Sequence, residues 1–189
     1  IVASGGVVNS MSLNAAGNAM DESIRDYVRS SYCLQIGENT AETLKKEMGV
    51  LGEAIPADER KMKIVGKQLS DGSACAVRID AEEVREALEP VLSEIVAGVR
   101  KVVEDAQPEA CADIYYSGVI LTGGGALLKG VKDRLQNELK LRAMIPEDPI
   151  TTVAIGAGSL LASPQQLHRC AIRQNLPVWQ EAEELVVSW

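Results

Sequence analysis

The fold is decided by residues 119–126, which read Val-Ile-Leu-Thr-Gly-Gly-Gly-Ala and run into the apolar residues Leu127, Leu128 and Val131. An unbroken apolar run is typical of a strand that is buried on both faces of a sheet. The three glycines indicate a backbone that another group approaches closely, and the pattern after them predicts a helix. A strand, a glycine turn and a helix in this order form a candidate nucleotide site, because the N–H groups at the helix start can face a ligand.

The glycine turn alone is a weak signal, since a tight turn packed close to a neighbouring strand would use the same residues. Two familiar nucleotide motifs fail on spacing. The dinucleotide motif G-x-G-x-x-G would need glycine where Leu128 stands, and the phosphate loop would need a Gly-Lys-Ser or Gly-Lys-Thr run that does not occur.

The composition is that of a globular protein with small molecules or other proteins as partners. The 189 residues are 46% hydrophobic and 24% charged, and they include no phenylalanine. The net charge of -8 and the 3% aromatic content disfavour nucleic acid, and the charge also disfavours an anionic membrane surface. No run reaches the roughly 18 apolar residues of a membrane-spanning helix.

Cysteine and histidine spacing predicts neither a metal site nor a catalytic centre. Cys33, Cys75, Cys111 and Cys170 form no C-x-x-C pair, and His168 is the only histidine. No Ser-His-Asp or Cys-His arrangement can be assembled, so no catalytic residue and no metal ligand is predicted within the chain. A reducing cytoplasm fits this cysteine usage best.

Two strands and two helices are predicted in the first part of the chain. The strands flank Gly5-Gly6, and Gly17-Asn18 closes that region. One helix is expected from Met20. A second helix is expected to start at Asn39, which has the spacing of a capping box with Glu42.

A hairpin and a long helical region are predicted in the middle of the chain. Two short β-like runs are joined across Asp71-Gly72, a pair that favours a tight turn. Asp80 and Glu83 repeat the capping-box spacing and start a short helix, which Pro90 is expected to end or kink. A longer amphipathic helix then runs to about Glu104.

The end of the chain divides into a helix and an unusual tail. A short strand around residues 142–145 precedes residues 152–161, whose small side chains predict a closely packed helix. A boundary follows at Ser163-Pro164. Residues 164–189 hold both tryptophans and the only histidine, and they form either a docking helix or a helix packed on its own domain.

Glu42 and Lys45 are three residues apart on the second predicted helix, so their side chains project from the same face. Together they could clasp the ribose and the base of a nucleoside. The alternative is a solvated helix face on which Glu42 serves the capping box. The residue pattern by itself leaves both interpretations open.

Four ordered motifs resemble a known family. They lie at residues 16–22 (AGNAMDE), 36–45 (IGENTAETLK), 119–128 (VILTGGGALL), and 147–151 with 154–158 (EDPIT and AIGAG). In order and spacing they resemble the second half of the MreB-like bacterial actin homologues, the rod-shape-determining family. The resemblance covers about residues 1–162.

The resemblance implies an α/β fold, the second lobe of an actin-like ATPase of ribonuclease H-like architecture. Residues 1–36 and 90–163 would form an inner subdomain, residues 37–89 an inserted outer α+β subdomain, and residues 164–189 an atypical C-terminal tail. The phosphate-binding hairpin of the family would lie just before Ile1. The chain is therefore expected to be an N-terminally truncated fragment.

By resemblance, the adenosine of ATP would lie between two sets of residues. These are Glu42, Thr43, Leu44 and Lys45 on the outer side, and Gly123, Gly124, Gly125 and Ala126 on the inner side. The phosphate loops, the Asp near Mg²⁺ and the catalytic Glu of the family would lie in the first lobe. The family hydrolyses ATP, but this chain alone is expected to be inactive.

The implied function is that of an ATP-binding lobe in a cytoskeletal filament that controls rod cell shape by organising cell-wall synthesis. The implied partners are other protomers and the cell-shape membrane proteins of the elongation machinery. The filament would lie in the cytoplasm near the inner membrane, with membrane association carried only by the first lobe. Two alternatives stay open: another actin-like filament, magnetosome-aligning or plasmid-segregating, and a non-hydrolysing interaction module of the same fold.

Overall fold

The structure, a computed structural model, describes residues 1–3, 6–51 and 61–163 of the 189-residue chain. Its strands are β1 (Val2–Ala3), β2 (Gly6–Val7), β3 (Leu34–Gln35), β4 (Lys61–Gln68), β5 (Ala74–Asp80), β6 (Val119–Ile120) and β7 (Ala143–Met144). Its helices are α1 (Gly17–Tyr32), α2 (Glu38–Met48), α3 (Ala81–Glu104), α4 (Pro108–Ser117), α5 (Val131–Leu139) and α6 (Thr152–Leu161). The predicted tail, residues 164–189, lies outside the described residues.

An antiparallel sheet of order β3-β4-β5 packs with the helices α1, α2 and α3, and we call these elements the packed half of the chain. Its hairpin is the predicted one: Ile64 pairs with Val77, and Gly72 adopts the left-handed φ of 75° in the turn. Glycine is favoured there because an L side chain is strained at positive φ. The hairpin prediction is confirmed.

The hydrophobic core lies between this sheet and the helices α1, α2 and α3. Ile24, Leu44, Leu88 and Leu92 are among its most completely buried side chains, together with Ile79 from β5. They recur at the i, i+4 spacing of one helix face or project from the inner face of the sheet. The buried face that the sequence predicts for these elements is thus observed.

The starts of the first two helices differ from the prediction. The helix α1 already begins at Gly17, so Gly17-Asn18 belongs to the helix and does not close a hairpin. The helix α2 begins at Glu38, after Gly37 in the extended conformation of an N-cap. Asn39 therefore lies inside the helix, where its side chain cannot cap the start, and the capping box predicted with Glu42 is wrong.

The start of α3 matches the prediction, whereas its course does not. Asp80 accepts a hydrogen bond from the Glu83 amide at 3.0 Å, and Glu83 accepts one from the Asp80 amide at 2.9 Å, which completes the capping box. Pro90 neither ends the helix nor divides it, since α3 is continuous to Glu104. Burial of the side chains on either side of Pro90 offsets the local cost of about 3 kcal/mol for proline in a helix.

The region around the glycine turn is more open than predicted. The strand β6 pairs in parallel with β7 alone, and Ile120 is 65% exposed, so the prediction of a strand buried on both faces is wrong. A 3₁₀ turn at Gly124–Leu127 follows in place of the predicted helix start, and the helix itself begins only at Val131. Local sequence favours the strand, but no second neighbour in the described chain covers it.

Two further helices depart from the sequence prediction. The helix α4 was not predicted, although Pro108 at its first position is a typical start signal. The helix α6 forms as predicted, but it buries no side chain, and Val153 and Leu161 are 66% and 72% exposed. Close packing of α6 is therefore wrong for the described chain.

Candidate functional site

The glycine turn presents an open backbone surface. A Cβ atom placed on Gly123, Gly124 or Gly125 would meet no atom within 4 Å. Gly123 has a φ of 82°, which favours glycine for conformational reasons, whereas no such requirement applies to the next two residues. Packing within the described chain therefore does not account for Gly124 and Gly125. Ala126 differs from them because it is buried.

A hydrogen-bonded loop at residues 148–151 contacts the start of the glycine turn. The Gly123 amide donates to the carbonyl oxygen of Pro149 at 2.6 Å. Next to Pro149, the Asp148 carboxylate accepts from the Thr151 hydroxyl at 2.6 Å and from the amides of Ile150 and Thr151 at 3.1 and 3.2 Å. Donation by the Thr151 hydroxyl, and then by these amides, holds the pKa of Asp148 below its ordinary value.

Glu42 and Lys45 do not pair with each other. The Glu42 carboxylate accepts a hydrogen bond from Lys46 at 2.7 Å, and its side chain is 46% exposed. This hydrogen bond and the charge of Lys46 lower the pKa of Glu42. Glu42 is thus a surface carboxylate that is charged at neutral pH and open to a ligand.

Lys45 points back toward α1. Its ammonium lies 2.7 Å from Asp21 Oδ2 and 3.0 Å from the Gly17 carbonyl oxygen, and its side chain is only 12% exposed. Between the two charged residues, Leu44 is fully buried in the core, and the Thr43 hydroxyl donates to the Asn39 carbonyl at 2.8 Å. The four outer residues of the predicted site therefore have four different environments.

The residues that follow α2 contact the residues that follow the glycine turn. The Leu51 amide donates to the Lys129 carbonyl at 2.8 Å, and Val50 forms an isolated parallel bridge with Lys129. These contacts connect the residue run after α2 to the run after the turn. The run that follows α2 therefore lies beside the run that follows the glycine turn.

Sequence reasoning missed Asp21 as a partner of Lys45. Asp21 lies on the same face of α1 as Ile24 and Val28, at i+3 and i+7, and all three are buried. An acidic residue on an otherwise apolar helix face was the signal that could have identified it.

The described residues offer no metal cluster and no membrane span. Within residues 1–3, 6–51 and 61–163, no three His, Cys, Asp or Glu side chains are grouped so that they could hold an ion. In the same part of the chain, none of the helices combines the length and the apolar character that a membrane crossing requires.

Comparison with known proteins identifies the family. The sequence model of the MreB/Mbl protein family matches residues 1–169. The chain belongs to the MreB/Mbl family. The cell shape-determining protein MreB of Haemophilus influenzae is 38% identical over 161 residues, or 85% of this chain and 46% of that protein. This MreB/Mbl chain thus spans about half the length of the curated relatives it matches.

Solved structures give the same assignment for the fold. MreB5 of Spiroplasma citri bound to AMPPNP matches with a TM-score of 0.79 and 32% identity over 86% of this chain and 48% of its own. The MamK double helical filament matches with a TM-score of 0.66 over 80% of this chain and 46% of its own, but at 20% identity it supports the fold alone. The predicted actin-like α/β fold is confirmed.

Proposed function

We propose that this chain supplies the nucleoside side of an ATP site in an actin-like filament protein that controls cell shape. The observation that carries the proposal is the open backbone at Gly124 and Gly125, which the packing of the described chain does not require. Glycines of this kind allow a flat ligand to lie against the main chain. Family membership makes a nucleotide the ligand class with the strongest support.

The arrangement of α2 supports the same ligand. Glu42 offers a charged, exposed carboxylate, which is a good acceptor for the hydroxyl groups of a ribose. The contact between Leu51 and Lys129 keeps α2 beside the run that follows the glycine turn. The relative MreB5 of Spiroplasma citri has been crystallised with AMPPNP and with ADP, which favours an adenine nucleotide.

Binding and hydrolysis are separate in this proposal. Phosphoryl transfer depends on positioning and on stabilisation of charge at the phosphates, usually with bound Mg²⁺. The chain covers 46% of the length of the MreB relative from Haemophilus influenzae, and we assign the phosphate and metal contacts to the part of the family's length that it does not cover. The chain alone should bind adenosine weakly and should not release phosphate from ATP.

The cellular role follows from the family in the same proposal. The curated relatives are cell shape-determining proteins, so we propose a filament that organises cell-wall synthesis near the inner membrane, with elongation-machinery membrane proteins as partners. The exposed apolar residues of α6, Val153, Ile155 and Leu161, are available for contacts with more protein, which supports assembly. Electron microscopy of the full-length protein with ATP tests this role, and absence of filaments would contradict it.

Isothermal titration of the chain with adenosine and with ATP tests the site. Gly124→Val adds a branched side chain in open space, so it should leave the fold intact. It should reduce the affinity for adenosine and for ATP at least about tenfold, or about 1.4 kcal/mol. Glu42→Ala should also weaken binding. Gly158→Val is the matched control, because Gly158 is equally open but lies in the second turn of α6.

Two results would contradict the proposal. Equal affinities of the unmutated chain and Gly124→Val would remove the turn from the site. Phosphate release from ATP by the purified chain, abolished by Gly124→Val, would disprove the separation of binding from hydrolysis.

A further inference from the structure

An ion pair between α1 and α2 is largely buried. The Lys45 ammonium lies 2.7 Å from Asp21 Oδ2, and the two side chains are 12% and 10% exposed. A second acceptor, the Gly17 carbonyl oxygen, lies 3.0 Å from the same ammonium. Among the residues that the structure describes, Asp21 is the only buried charged residue.

The stability of the fold does not explain this pair. Desolvation of two charges offsets most of their attraction, and apolar residues of similar size often serve a core as well or better. In addition, Asp21 Oδ1 is buried without a hydrogen-bond partner among the described residues, which adds a cost. A pair that is poor for stability and that includes a candidate ligand-binding residue, Lys45, points to a role in placing that residue.

The hydrogen-bonding capacity of Lys45 leaves one donor for a ligand. A lysine ammonium has three N–H groups, and Asp21 and Gly17 accept two of them. The carboxylate at 2.7 Å also cancels the positive charge of the ammonium at longer range. Lys45 is therefore equipped to donate one hydrogen bond, but it is poorly equipped to attract an anion.

We propose that Asp21 is a positioning and specificity residue. It fixes the Lys45 ammonium and compensates its positive charge, so that Lys45 donates to a neutral acceptor on the nucleoside and not to a phosphate. The acceptor would be a ring nitrogen of the base or an oxygen of the ribose. This inference rests on the proposed function, since it assigns a recognition chemistry to the same site. Its specific consequence is that Lys45 contributes equally to the binding of adenosine and of ADP.

Titrations with adenosine and with ADP at low and high NaCl test the assignment. Asp21→Asn releases Lys45 as an uncompensated cation, so adenosine affinity should fall about threefold to tenfold, the value of a lost hydrogen bond. At low salt, the affinity for ADP relative to adenosine should rise, and this preference should fall as NaCl increases. Asp26→Asn is the matched control, because Asp26 is exposed on the same helix and its substitution changes the net charge equally.

A second variant makes the test independent of how well Asp21→Asn folds. Lys45→Met keeps an unbranched apolar side chain but removes the donor and the charge, so it should weaken adenosine and ADP binding by the same factor. A larger loss for ADP than for adenosine would show that Lys45 acts on the phosphates, and it would overturn the assignment.

The remaining outcomes distinguish the inference from the proposed function. If the unmutated chain and Asp21→Asn bind both ligands identically, while Gly124→Val binds both more weakly, the role of Asp21 is overturned and the nucleoside site stands. If the unmutated chain does not bind adenosine, the nucleoside site is overturned, and the role of Asp21 falls with it.

Discussion

The helices α3 and α6 are both rich in apolar residues, yet α3 is packed in the core and α6 is exposed to solvent. Leu88 and Leu92 of α3 are at most 1% exposed, because this helix lies against α1 and α2. In α6, Val153 and Leu161 are 66% and 72% exposed, and no side chain is buried. Apolar content therefore does not determine burial; the presence of a facing element does.

The same contrast holds for the strands. The hairpin β4–β5 is paired over seven residue pairs and covered by helices, whereas β6 and β7 share only two pairs. An open cavity of about 640 Å³ has Val2 of β1 and Ile120 of β6 among its apolar lining residues. The strands β6 and β7, the glycine turn and α6, which we call the open half, thus expose apolar surface of the kind that marks interaction sites.

Leucine truncations in the two helices give the largest expected difference. Leu88→Ala should lower the free energy of unfolding by about 2–5 kcal/mol, since a cavity forms in the core. Leu161→Ala should change it by less than about 0.5 kcal/mol, because the side chain is exposed. Urea unfolding followed by circular dichroism measures both.

The milder substitution Ile79→Val serves as an internal check on the packed half, with an expected loss of about 0.5–1.5 kcal/mol. A loss above 2 kcal/mol for Leu161→Ala would break the contrast, because it would mean that α6 is covered in solution, for example by a second copy of the chain.

Sequence patterns predicted the packed half better than the open half for a physical reason. Periodicity identifies which face of an element is apolar, and in α1, α2 and the hairpin that face is buried within the same chain. The run at residues 119–126 carries equally apolar residues, but among the described strands only β7 pairs with it. A short-range pattern contains no information about whether a distant element covers it.

Capping residues provide a second, smaller test within the packed half. Asp80→Ala removes the side chain that accepts the Glu83 amide, so stability should fall by about 1 kcal/mol. The matched change Asn39→Ala should stay within about 0.5 kcal/mol, since Asn39 lies inside α2 and caps nothing. Thermal or urea unfolding of the two variants measures the difference. Equal losses of unfolding free energy would show that the capping box of α3 does not stabilise the protein.

The candidate site was predicted only in part. Motifs identified the residue types, and of these residues Gly124, Gly125 and the Glu42 side chain are exposed to solvent. The environment of Lys45 was not predictable, because its partner Asp21 is 24 residues away and its contact depends on how α1 packs on α2. Motifs identify residue types, whereas the charge state of a site depends on such long-range neighbours.

The smallest expected effect concerns the loop that holds the glycine turn in the open half. Asp148→Ala removes the acceptor for Ile150 and Thr151, so it should loosen the Pro149 carbonyl from the Gly123 amide without changing the overall unfolding transition. Hydrogen exchange should then show lost protection only at the amides of Gly123, Ile150 and Thr151. Asp71→Ala is the control, because Asp71 accepts comparable hydrogen bonds in the hairpin turn and its pKa is also lowered, first by the Ser73 amide.

Acid should reproduce the effect of Asp148→Ala in the unmutated chain. The folded pKa of Asp148 lies below its ordinary value of 3.8, so the carboxylate stabilises the loop fully above that value and less as the pH falls through the folded pKa. Protection of the Gly123 amide, corrected for the intrinsic exchange rate, should therefore be constant near neutral pH and decrease below about pH 4. If protection in Asp148→Ala equals that of the unmutated chain at pH 7, the turn is held by its own backbone. The open half would then be as rigid as the packed half at this point, despite its exposure.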